Sequence, residues 1–218
     1  MKKGILFAFL LAIACMIGMS GCKGCSDNGS EEQVENMFST DYDGVLPDLS
    51  KGAEYIIALH RQTMNVLADG DNYAWYETKF TFADSLKQET LADAVVKEVT
   101  DVFQTFHPEQ CYTITTNAAR GTMIPAPTPG LWIEDFDLGY SDVKLSIADV
   151  LMRLAQVNMP LPPSVSIILR KPVGPVQCNA QYVMGNPFET VWVDAVTGDV
   201  TNSCPAYPKG LAKPTSIR

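Results

Sequence analysis

The chain has 218 residues, 46% of them apolar and 19% charged, with a mean hydropathy of +0.02, the profile of a folding chain rather than a disordered one. Its 25 acidic residues outnumber 16 basic ones, for a formal charge of −9. This excludes the basic stripe that a phosphate backbone requires, so nucleic acid is not an expected partner. Only two histidines occur, His60 and His107, which leaves little material for a histidine-based zinc site or general base.

Lys2 and Lys3 precede an apolar run from Ile5 to Met19, the charged and hydrophobic regions of an export signal. The run is short for a hydrocarbon core needing about 20 residues. It ends in Met19, Ser20, Gly21 and Cys22, which resembles a bacterial lipobox. That resemblance implies that residues 1–21 are a lipoprotein signal peptide and that Cys22 is lipidated and becomes the new N-terminus. Cys15 is less suited, because it would leave a shorter apolar run with Ala12 at the usual leucine position. Loss of Lys2 and Lys3 leaves 14 basic against 25 acidic residues, a net of −11, so the expected attachment to the membrane is through the lipid and not through charge. Residues 22–50 are rich in Ser, Asn, Asp, Glu and Gly and read as a flexible acidic tether. The acidic cluster resembles surface-export signals of some outer-membrane lipoproteins, and Lys23 beside Cys22 fits retention in the outer membrane. The expected location is the cell envelope, as an outer-membrane lipoprotein facing the periplasm or the surface.

Three segments carry helical spacing. From Lys51 to Ala68 the residues Ile56, Leu59, Val66 and Leu67 recur at helix intervals behind a Ser50 cap. From Asp84 to Phe106 the series Leu91, Val95, Val99, Val102, Phe103 and Phe106 reads as one helix face. From Ser146 to Asn158, Ile147, Val150, Leu151 and Leu154 do the same, with Ser146 and Asp149 as a capping box and Met159–Pro160 as the stop. Short runs rich in aromatic and β-branched residues read as strands at Tyr73–Phe82, Cys111–Thr116, Leu131–Leu138, Val165–Arg170, Gln181–Met184 and Thr190–Ala195. The expected class is α+β, helices packed on an antiparallel sheet. The expected divisions are an N-terminal part over 51–122, a second part over 131–204 after a Pro-rich run, and an extended tail over 205–218.

The helix LSIADVLMRLAQ, the run IILRKPVGP, the segment CNAQYVMGN and the decapeptide VWVDAVTGDV, all between Leu145 and Val200, resemble the PepSY-like family of extracytoplasmic domains. The resemblance covers about a quarter of the chain. It implies a helix on a three-stranded antiparallel sheet in a family associated with binding or restraining peptidases, and it supplies no catalytic residues. Val191 and Val193 alternate onto one sheet face, while Thr197, Gly198 and Asp199 form a turn that needs a positive φ at Gly198 and in which Asp194 accepts backbone N–H groups.

In an exported chain, the four thiols beyond Cys22, namely Cys25 in the tether, Cys111, Cys178 and Cys204, point to disulfides. Cys178 with Cys204 is the first pairing considered, with Cys111 as the alternative partner. No CxxC spacing accompanies Cys111, which has His107 four residues before it, so no metal is expected there, and the Asp69–Asn72 cluster lacks the acid twelve positions on that a calcium loop requires, Phe80 standing there. No metal and no cofactor is therefore expected. Trp75 with Tyr73 and Tyr76, and Trp132 with Phe136, could form an aromatic surface, and Asp135 and Asp137 add carboxylates beside Glu134. No nucleophile-elbow, zincin, Walker or dinucleotide motif occurs. The reading is a non-catalytic, lipid-anchored envelope module that binds a polypeptide or peptidase, with Trp75, Trp132, Asp135 and Asp137 as its surface. The alternatives are a structural subunit of an envelope complex, and a hydrolase working through Asp135 and Asp137.

Overall fold

A computed structural model describes residues 51–134, 136–174, 178–186 and 189–204, without the side chain of Tyr140. The signal peptide, Cys22, the tether, the Ser50 cap, Asp135 and the tail lie outside the described residues.

The chain enters helix α1 (Ala53–Leu67), then the long strand β1 (Tyr73–Leu86), a 3-10 turn over Gln88–Asp93, and β2 (Val96–Phe106) and β3 (Glu109–Asn117). Two short strands, β4 (Gly121–Met123) and β5 (Thr128–Pro129), flank β3. Helix α2 (Ile147–Gln156) then leads into β6 (Ser164–Arg170), β7 (Gln181–Gly185), β8 (Thr190–Asp194) and β9 (Val200–Thr201). The described strands make one nine-stranded antiparallel sheet in the order β4-β3-β2-β1-β6-β7-β8-β9, with β5 also on β3.

The fold is mainly β rather than α+β: nine strands and only two short α-helices occur among the described residues. The decisive difference is the segment Asp84–Phe106, which is the end of β1, a 3-10 turn and β2, not a helix. Between Val96 and Phe106 the residues Val96, Val99, Thr100, Val102 and Thr105 are β-branched, and branching at Cβ favours a pleated surface. Residues 101–105 are buried without a break, because the strand is covered on both faces there. Double cover erases the two-residue alternation and leaves apolar spacings that imitate a helix face. Conversely, Leu131–Leu138 is not a strand. Its in-out alternation comes from an irregular segment lying against the sheet.

The core fills the face of the sheet that α1 and α2 cover, with Ile56, Met64, Phe80, Phe82, Phe103, Leu154, Ile167 and Tyr182 at its centre. Helix α2 begins as its sequence dictates: Ser146 Oγ accepts from Asp149 N at 3.1 Å, and Ser146 N donates back to Asp149 Oδ2 at 2.9 Å. Glu54 of α1 accepts from Ile147 N at 3.0 Å, so one helix caps the other. In the β8–β9 turn Asp194 Oδ1 accepts from Val196 N at 2.8 Å and Thr197 N at 2.9 Å, and Gly198 has φ 79°. That is the turn chemistry its residues require.

A bulge between Trp75 and Glu77 resets the alternation of β1. Beyond it Thr78, Phe80 and Phe82 are buried toward the helices, while Glu77, Lys79 and Thr81 take the opposite face. That second face is polar: Thr100 and Thr115 hydroxyls meet at 2.9 Å, and Asn117 Nδ2 donates to Glu98 Oε2 at 2.8 Å.

Candidate functional site

Two polar clusters stand out, one on each face of the sheet. On the helix side His60 of α1 places Nδ1 2.6 Å from Asp101 Oδ2 and Nε2 2.7 Å from Thr116 Oγ1. Thr78 Oγ1 donates to the other Asp101 oxygen and itself accepts from Trp75 Nε1 at 3.0 Å. The order carboxylate, imidazole, hydroxyl is that of an acyl-transfer triad. All four polar residues are buried, however, at 0–1% exposure, and Thr116 Oγ1 is also engaged with Thr122 Oγ1 at 2.8 Å. A nucleophile must lie within about 3 Å of a reacting atom, and no substrate reaches this one. The network ties α1 to β1, β2 and β3 by satisfying each buried polar group.

On the opposite face the segment after β5 lies across β2. Trp132 N donates to Gln104 Oε1 at 2.8 Å. Residues alternate from there: Leu131 and Ile133 are 63% and 71% exposed, whereas Glu134 is buried. The Glu134 carboxylate accepts from Arg170 Nη1 of β6 at 3.3 Å, with its side chain fully enclosed. Glu77, brought to this face by the bulge, adjoins it. Burial first and the Glu77 charge second push Glu134 up to about 7, against the pull of Arg170. Glu77 is raised as well, by burial foremost, with Arg170 opposing. Two acids thus face one guanidinium, and like charges in a dry site resist ionising together. Three buried polar atoms of this cluster have no hydrogen-bond partner: Glu134 Oε2, Arg170 Nε and Trp132 Nε1.

The residues singled out from sequence separate here. Trp75 is in the core under Arg61, whose guanidinium lies 5.5 Å from the ring centre. Trp132 is on the other face beside Gln104, so these two tryptophans do not form one aromatic surface. Asp137 is exposed. Leu138 N bonds the carbonyl of Trp75 where β6 no longer pairs with β1, so the chain passes round that edge toward α2. Cys111 is buried and its Sγ donates to Gly130 O at 3.3 Å, while Cys178 Sγ donates to Asn179 O at 3.3 Å. No disulfide joins Cys111, Cys178 and Cys204. Burial raises the Cys178 thiol, and the neighbouring Cys204 adds to that. No group of three or more potential metal ligands occurs among the described residues.

Glu77 and Arg170 escaped the sequence reading because their partnership depends on the β1–β6 register, in which Glu77 lies opposite Arg170, and on a bulge with no local signature. The one local signal was the alternation of Leu131, Trp132, Ile133 and Glu134, which places an acid on the inward side. No protein-family model, curated protein or solved structure matches this chain.

Proposed function

We propose that the chain is a lipid-anchored, non-catalytic binding module of the bacterial cell envelope and that its ligand is a polypeptide. The carrying observation is the pair Leu131 and Ile133, two large apolar side chains held in solvent side by side on a segment whose alternate residues, Trp132 and Glu134, are turned toward the sheet. Exposed apolar groups displayed together on an anchored segment, rather than scattered, are the mark of an interaction surface. The polar centre with a catalytic order of groups is sealed in the core, which also favours binding over chemistry. The PepSY-like residues lend support, since α2 is followed by the antiparallel meander β6-β7-β8 that the resemblance implies.

The binding surface is the Leu131–Glu134 segment rather than a sheet edge. The outer strands β4, β5 and β9 have three, two and two residues, and edges that short give an added strand few backbone partners. The test is a titration of labelled extended peptides with the whole chain and with a Leu131→Asp, Ile133→Asp double variant. Saturable binding that weakens at least tenfold in the variant, at unchanged melting temperature, supports the reading; equal affinity for both proteins rejects it.

A further inference from the structure

We propose that Leu131–Glu134 is a proton-operated clasp, closed on the sheet while at least one carboxyl of the Glu77–Glu134 pair keeps its proton and lifted from it when both are ionised. Only the consequence, altered presentation of Leu131 and Ile133 to a polypeptide, rests on the binding reading; the opening itself does not.

Closure leaves hydrogen bonds unmade. Three polar contacts pin the segment: Trp132 N to Gln104 Oε1 at 2.8 Å, Arg170 Nη1 to Glu134 Oε1 at 3.3 Å, and a hydrogen bond between the Glu134 and Glu77 carboxyls that needs a proton on one of them. Against them stand the three buried atoms without partners, one from Trp132, one from Glu134 and one from the Arg170 beneath. Each loses its water on closing and regains it on opening. The closed form is therefore held mainly by packing, and a change of one charge inside it weighs heavily.

The charges are placed to deliver that change. Glu134 is faced by Glu77 from β1 and Arg170 from β6. Lys79 of β1 acts on Glu77 from further along the strand. Asp137 joins Glu134 in acting on Tyr76 and adds negative charge nearby, whereas burial raises the Cys111 thiol and keeps it neutral. With one proton on the pair, one carboxylate meets one guanidinium and the charges cancel. With none, two carboxylates share it and the enclosed one lacks compensation. Burial and Glu77 hold Glu134 to about 7, above its ordinary 4.5, so closure weakens as the pH rises from about 4.5 and is weakest from about 7 upward.

Hydrogen exchange read by mass spectrometry on the whole chain in detergent, at pH 5.5 to 8.5 and corrected for the intrinsic pH dependence of exchange, tests this. Protection of the 131–134 amides is expected to fall by up to about tenfold per pH unit between pH 5.5 and 7, one proton's worth, and to level off above pH 7. Glu134→Gln cannot ionise, and Glu77→Gln restores one acid to one guanidinium, so both variants are expected to stay protected at pH 8.5. Glu77 is half-exposed, so its variant keeps the test decisive if the Glu134→Gln change, at a buried position, impairs folding. Protection that is constant with pH in the unmodified chain, as a fixed bridging water would give, overturns the clasp, as does the same fall in Glu77→Gln as in the parent. Loss of peptide binding in the Leu131, Ile133 double variant leaves this result untouched, so the two readings fail separately.

Discussion

His60 Nδ1 lies 2.6 Å from Asp101 Oδ2, with both side chains buried and forty-one residues apart in the chain. This contact fastens α1 to the centre of the sheet. Leaving a buried polar group without its hydrogen-bond partner costs about 1–3 kcal/mol, and Asp101 partners both His60 and Thr78. Asp101→Ala is therefore expected to lower the urea-unfolding free energy by about that amount, and Thr116→Val, which strips one bond from His60, by about 1–2 kcal/mol. A loss below about 1 kcal/mol for Asp101→Ala in equilibrium denaturation would show that the network does not hold the helix.

Two glycines test the strand connections. At Gly198, φ 79°, a Cβ would meet Arg153 Nε at 3.1 Å and Leu145 Cδ1 at 3.3 Å. Gly198→Val is expected to cost about 1 kcal/mol or more. At Gly185, φ 120°, a Cβ would clash with the Glu189 carbonyl oxygen. That neighbour is backbone and cannot step aside, so Gly185→Ala should cost more than Gly198→Ala. Melting temperatures in the reverse order would contradict the close approach of Gly185 to the Glu189 backbone.

Stability should decline from mild acid toward neutrality. Glu134 has a folded pKa of about 7, above its ordinary 4.5, so the folded chain binds this proton more tightly than the unfolded one. The benefit is complete below about pH 4.5 and disappears as the pH climbs through 7. Screening through the half-exposed Glu77 and Arg170 reduces the effect to on the order of 1–2 kcal/mol, or about 4 °C in melting temperature. Asp142, held down foremost by Lys171, and Asp149, held down foremost by Ser146, act the other way, and their contributions vanish as the pH drops through their lowered values. Scanning calorimetry should find the maximum near pH 5, with Glu134→Gln nearly flat from pH 5 to 8. A parent protein whose stability rises from pH 5 to 8 contradicts the assigned environment of Glu134.

Anchoring is tested at Cys22, which follows Met19-Ser20-Gly21. Cys22→Ser is expected to abolish acyl labelling and move the protein to the soluble fraction. Labelling that survives this change and disappears with Cys15→Ser moves the attachment to Cys15.

Local chemistry was legible where it acts through neighbours. Ser146 and Asp149 cap α2, Asp194 and Gly198 shape their turn, and the strands at Tyr73, Cys111, Val165, Gln181 and Thr190 lie where branched and aromatic residues alternate. What stayed hidden depends on partners distant in sequence. β2 imitates a helix because α1 covers one of its faces and the segment containing Trp132 the other. With that strand misassigned, the sheet lost a central member and the fold class went with it. The candidate site is the same lesson at the scale of side chains: Glu77, Glu134 and Arg170 come from β1, an irregular segment and β6, and only register brings them together.

One sample can decide whether the chain binds peptides without turning them over. Labelled extended peptides are titrated with the whole chain while fluorescence anisotropy is followed, and the same mixture is afterwards analysed by mass spectrometry. The expected result is saturable, mutually competing binding, dependent on Leu131 and Ile133, with every peptide recovered intact. Saturable cleavage of the peptides, or binding unchanged in the Leu131→Asp, Ile133→Asp protein, would contradict it.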